Sequence, residues 1–137
     1  MAGDLPDYYF RIRENGGVVF RVDTENRNRR IELIELATVN IRNGNIKPHG
    51  DQTITPADML VIREWMDRRV ALLAERDIDD ILRAVDHLNM TTHWAQSKAT
   101  DEQLDRVTDD LLLAMHDLRS VLVRRKADRL AKDAAAE

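Results

Sequence analysis

The stretch that decides the fold is residues 55–66, TPADMLVIREWM. Thr55 is suited to cap a helix, Pro56 fits the first helical position, and Asp58 lies where a negative charge favours the positive end of the helix dipole. Met59, Ile62 and Met66 then begin an apolar stripe at helical spacing, which continues through Val70 and Leu73. The chain changes character here. All five glycines lie at or before Gly50 and all three prolines at or before Pro56. Turns therefore belong to the first third, and long helices are permitted beyond it.

Upstream of this start the periodicity is two. Tyr8, Phe10 and Ile12 alternate with Tyr9, Arg11 and Arg13; Val18, Phe20 and Val22 alternate with Val19, Arg21 and Asp23. Such alternation marks strands with one buried face. Glu14-Asn15-Gly16-Gly17 between them tolerates positive φ and predicts a hairpin. Thr24 to Arg29 is polar and reads as a loop. Ile31 to Ile41 is a third strand, with Ile31, Leu33, Ala37, Val39 and Ile41 in one phase and Ile34 and Leu36 in the other. Glu35 interrupts the first phase. A bulge near Ile34, or burial of both faces, reconciles the pattern. Asn43-Gly44 signals a second tight turn into a short strand at Asn45 to Lys47, and 48–54 is a linker.

Downstream, the stripe slips after Leu73. Asp77 falls where an apolar residue is due, and the stripe resumes at Ile78, Ile81, Val85 and Leu88. We expect a break or kink, with Asp77 capping a second helix that ends near Ser97; one helix running through with a stutter is the alternative. Thr100-Asp101-Glu102-Gln103 is a capping box. The last helix carries Leu104, Val107, Leu111, Ala114, Leu118 and Val121 in 3-4 spacing. Leu112, Leu113, Met115 and Leu122 widen this into a band that a single partner helix does not cover. Residues 124–137 are charged and alanine-rich, a solvated helical tail.

The fold class predicted is therefore α+β: a small N-terminal antiparallel β-meander over 1–50, then a long α-helical hairpin or three-helix bundle over 51–137. Composition agrees. Of 137 residues, 34% are charged, above the roughly 25% of ordinary globular domains, which points to long helices with solvated faces. Net charge is -4, so nucleic acid is repelled at long range and any such binding needs a local patch. No cysteine is present, which excludes disulfides, thiolate metal sites and cysteine nucleophiles. The opening MAGDLPDYYF has neither a basic start nor an apolar centre, and no run approaches the length of a membrane span. A cytoplasmic protein without a membrane partner is expected.

No catalytic or cofactor pattern stands out. His87, His93 and His116 lie among Asp80, Asp86, Asp109, Asp110 and Asp117, but no Glu-x-x-His pair accompanies them, so no metal and no cofactor are expected. The serines are Ser97 and Ser120, and Ser120 lies inside a helix, a poor setting for a nucleophile. Two surfaces remain. Arg11, Arg13 and Arg21 are expected on one face of the first hairpin beside Tyr9, with Arg27, Arg29 and Arg30 in the following loop. Arginine forks suit phosphates, so this face is the candidate anion or nucleic-acid site. Leu112, Met115 and Leu122 are the candidate oligomer interface, with Trp65 as either a core residue or an interface anchor. The function expected is a non-enzymatic interaction or assembly module that self-associates through its C-terminal helices, most simply as a dimer, with a protein partner of unknown identity. The alternative is a nucleic-acid-binding regulatory protein using the arginine face.

Overall fold

The structure is a computed structural model that describes residues 5–25 and 30–136. It is α+β, as the periodicities require. Strands β1 (Tyr8–Arg13), β2 (Gly16–Asp23), β3 (Glu32–Asn40) and β4 (Ile46–Pro48) precede two helices, α1 (Pro56–Ser97) and α2 (Asp101–Ala136). The strands form one antiparallel meander in the order β1-β2-β3-β4. Chain contacts gather into two compact units, Met1–Ile81 and Leu82–Glu137. The first contains the sheet and the first half of α1; the second contains a helical hairpin.

Register decides which side chains enter the core of the first unit. Phe10 pairs with Val19 and Ile12 with Gly17, whereas Tyr9 pairs with Phe20 and Arg11 with Val18. Opposed residues share a face. Val19 is therefore a core residue of β2, while Val18, Phe20 and Val22 lie on the opposite, outer face. Val18 and Phe20 are nonetheless buried, at 6% and 7% exposure. The turn is the two residues Glu14-Asn15, because Arg13 already pairs with Gly16, and Gly16 and Gly17 belong to the strand. Gly17 is required for close approach: a Cβ there would lie 2.8 Å from the Arg11 carbonyl oxygen and 3.2 Å from the Trp65 ring. Gly44, at the second tight turn, has φ 75°, where a side chain is strained.

The expected bulge is present, opposite Val19 and Phe20. Val19 pairs with Ala37 and Phe20 with Glu35, so Leu36 is the extra residue. Two neighbouring residues then point the same way. Leu36 and Ala37 are both fully buried in one cluster with Val19, Val39, Ile62 and Met66. Ile34 and Ile41 fall on the same face, and Glu35 points outward without conflict.

Helix α1 lays Ile62 and Met66 onto this cluster, with Trp65 half-buried beside them. Trp65 stacks on Phe10 with ring centroids 4.7 Å apart and planes 6° from parallel. The expected break at Asp77 does not occur: α1 is one helix of 42 residues. An aspartate in a helix interior costs well under ~1 kcal/mol, and Asp77 is solvent-exposed with neither glycine nor proline nearby, so nothing forces an interruption.

The start of α1 is held by a buried charge. Asp58 is 2% exposed. Its Oδ2 accepts hydrogen bonds from Arg21 Nη2 at 2.8 Å and the Thr55 amide at 3.0 Å, and its Oδ1 accepts one from the Tyr8 hydroxyl. The Asp58 amide donates to Thr55 Oγ1 at 3.1 Å, so Thr55 and Asp58 form a reciprocal capping box. Burial acts to raise the Asp58 pKa, but the hydrogen bond from Tyr8, the contacts with Thr55 and the Arg21 guanidinium outweigh it and hold the carboxyl at about 2, against 3.8 ordinarily. The same hydrogen bond, with burial second, pushes the Tyr8 hydroxyl above its usual 10.0.

A depressed folded-state pKa stabilises the native state above the unfolded pKa, and that stabilisation is lost as pH falls through the folded value. For Asp58 the two values are 3.8 and about 2, which amounts to about 2 kcal/mol of stability at neutral pH. Urea unfolding of wild type should weaken by this amount as the pH is lowered through that window, and Asp58→Asn should be less stable at neutral pH with a flatter acid profile. Equal slopes in the two proteins would contradict the linkage.

Candidate functional site

Two surfaces carry the residues singled out in the sequence. The first is the outer face of the sheet. Arg11 lies with its guanidinium carbon 4.5 Å from the Phe20 ring centroid and 5.9 Å from that of Tyr9. The two rings are themselves 6.0 Å apart. Phe20 is buried here and Tyr9 remains 43% exposed. Arg13 shares this face by strand alternation. Arg21 does not: its register partner is Tyr8, and its guanidinium is bound to Asp58 on the side of the sheet that α1 covers. The expected triplet Arg11, Arg13, Arg21 is thus reduced to a pair, because Arg21 serves as a counter-ion. Arg27 and Arg29 lie outside the described residues. Arg30 is exposed and lies two residues before β3.

The second surface is built by the helical hairpin of the second unit. Thr100 caps α2: its Oγ1 accepts from the Gln103 amide at 3.2 Å, and its amide donates to Gln103 Oε1 at 3.0 Å. The chain thereby reverses at Lys98 to Thr100, and the two helices meet beside the turn. Trp94 and Thr91 of α1 and Leu104, Val107 and Leu111 of α2 are half-buried. That is where mutual coverage ends. The 3-4 stripe runs on to Val121, yet Leu118 is 55% and Val121 43% exposed. No described residue of α2 is buried. Leu112, Met115 and Leu122 are all more than half exposed.

The hairpin presents a mainly apolar hollow on each side of its seam. One side presents His87, Met90 and Asp110 around the Trp94–Val107 seam. The other presents Leu88, Ala95, Leu104, Thr108, Leu112 and Met115. The Thr108 hydroxyl is already engaged, donating to the Leu104 carbonyl at 2.6 Å. Thr108, Met115 and Leu122 then recur every seven residues and make one stripe along α2.

Among the described residues, no three His, Asp or Glu side chains are grouped as a metal would require. Ser97 Oγ lies 3.3 Å from His93 Nε2, but the hydroxyl proton is donated to the His93 carbonyl at 2.6 Å. The imidazole therefore does not withdraw that proton, and the serine acts as a helix-end hydrogen-bond donor. No helix is long and apolar enough to cross a membrane among the described residues. Comparison with protein-family models, with curated proteins and with solved structures finds no match to this chain.

Trp65 belongs to neither surface, because it packs on Phe10 and Gly17 within the first unit. Its replacement separates a core role from an interface role. Trp65→Ala should lower unfolding stability by about 3–5 kcal/mol while leaving the sedimentation mass unchanged. A change in mass with little loss of stability would make it an interface anchor instead.

Proposed function

We propose that this chain is a non-enzymatic assembly module that self-associates through its C-terminal helices. The observation that carries the reading is the apolar content that α2 leaves in water: Leu112, Leu113, Met115, Leu118, Leu122 and Val123 are each at least 51% exposed. Each such side chain gains about 1.5–3 kcal/mol on burial, and monomeric proteins seldom expose contiguous patches of this kind. Long helices also draw most of their stability from packing of an apolar face rather than from propensity. A symmetric dimer covers the patch with a single contact type, since a two-fold axis pairs one surface with itself. The chemistry elsewhere favours a structural role. Asp58 is sealed between Tyr8, Arg21 and Thr55, and the Ser97 hydroxyl is bound to backbone.

Sedimentation equilibrium at micromolar concentration is the test. A mass above the 15.8 kDa of one chain is expected, and Leu122→Glu should return it to the monomer value while the sheet stays folded. A wild-type chain that remains monomeric would overturn the reading.

The second reading is nucleic-acid binding by the outer sheet face. It is favoured by Arg11 held over Phe20 beside an exposed Tyr9, an arrangement in which a cation and an aromatic ring are presented together. Single-stranded RNA and DNA titrations at several salt concentrations test it. Affinity should fall steeply with salt and be lost in Arg11→Ala/Arg13→Ala; no binding at low salt would remove it.

A further inference from the structure

Resting on this reading of α2 as a self-association surface, we propose that two copies pair α2 against α2 in antiparallel orientation, about a two-fold axis level with the middle of the apolar run Leu111–Val123. The argument comes from charge. The segment Asp101–Asp110 holds five acids, Asp101, Glu102, Asp105, Asp109 and Asp110, against one base, Arg106. The segment Arg124–Lys132 holds five bases, Arg124, Arg125, Lys126, Arg129 and Lys132, against one acid, Asp128. The apolar run lies between them, so α2 is acidic, apolar, then basic along its length.

Reversing one copy against the other brings each acidic segment level with a basic one at both ends. With the axis level with Asp117, Asp110 lies level with Arg124 of the other copy, Asp109 with Arg125, Asp105 with Arg129, and Leu112 with Leu122. Even the minority charges match, because Arg106 comes level with Asp128. Parallel pairing sets acid against acid and base against base, which is repulsive throughout. The helix dipole is the competing cause of such a gradient, but its influence falls off within the first and last turns. It accounts for Asp101 and Glu102. It does not account for Asp109 and Asp110 in the third turn, nor for Arg124 and Arg125 three turns before the end, and α2 has no basic residue in its last turn.

The apolar residues fit the same arrangement, since Leu112 and Leu122 are both more than half exposed. With the axis level with Asp117, Leu112 of each chain lies beside Leu122 of the other, while the two copies of Thr108 stand eighteen residues apart along the pair, about 27 Å.

Charge reversal is the direct test on the full chain. Asp109→Lys/Asp110→Lys and Arg124→Glu/Arg125→Glu should each weaken association at least about tenfold at low salt. The fourfold variant should regain wild-type affinity, and an equimolar mixture of the two double variants should associate as wild type does. Parallel pairing would show no loss in either double variant, because like charges face each other before and after. A dimer indifferent to both swaps thus overturns the antiparallel arrangement and leaves self-association standing; a monomeric wild type overturns both. The cysteine-free sequence allows a second measurement that does not depend on electrostatics. Under mild oxidation Leu112→Cys should cross-link to Leu122→Cys, and Thr108→Cys should not cross-link to itself. Efficient self-cross-linking of Thr108→Cys would contradict the arrangement.

Discussion

A carboxylate withdrawn from water must have its lone pairs satisfied, since burying an ion costs several kcal/mol unless partners replace its hydration. Asp58 meets that demand with groups from three places in the chain: a ring hydroxyl from β1, a guanidinium from β2 and an amide from the capping turn of α1. The geometry of all three is thereby fixed around two oxygen atoms. Once the first turn of α1 is pinned, the helical repeat delivers Ile62, Trp65 and Met66 onto Val19, Leu36 and Phe10. The apolar core supplies most of the stabilisation, but the buried charge selects where on the sheet the helix begins. A hydrophobic contact alone would tolerate sliding by a fraction of a turn; three hydrogen bonds to one carboxylate do not.

The two units thus draw on different physics. The first unit has a closed core and a satisfied buried charge within one chain. In the second, the hairpin is well specified at its turn, where the Thr100–Gln103 box and the Trp94–Val107 contact fix the reversal, and open beyond Leu111. A helix of 36 residues with no buried side chain is stable in proportion to what covers it. Beyond Leu111 its apolar residues are exposed within the single chain, so unfolding of the two units need not be a single cooperative event.

The sequence made much of this legible. The strands are readable because alternation coincides with turn residues, and the bounds of β1 match the expectation residue for residue. Both helix starts are readable because capping requires short polar side chains at a fixed spacing. What was not legible depends on pairing. Val18-Val19-Phe20 is apolar in both phases, so alternation alone does not say which phase enters the core; register with β1 does. The same ambiguity misplaced Arg21, which sequence parity grouped with Arg11 and Arg13. Its true partner lies 37 residues away, a separation no local pattern reports. Yet one signal was present: Thr55-x-x-Asp58 is itself a capping box, and an acid in that position beside an apolar stripe marks a charge close to the core. Asp77 illustrates the opposite error. A break in hydrophobic phase is not a break in the helix where neither glycine nor proline accompanies it.

The bulge at Leu36 has a consequence for how this strand can vary in length. Ile34, Ala37 and Val39 face the core, and Leu33, Glu35 and Thr38 face away; these six positions alternate perfectly if Leu36 is struck out. Leu36 is therefore an extra side chain given to the core without shifting any neighbour to the other face. A one-residue deletion at that point would leave every other contact in phase and sacrifice one buried leucine. A deletion at Val39 would leave the bulge in place and put the following residues on the wrong face, from the strand end to the Asn43-Gly44 turn. The strand thus has one position where its length is negotiable, flanked by positions where it is not.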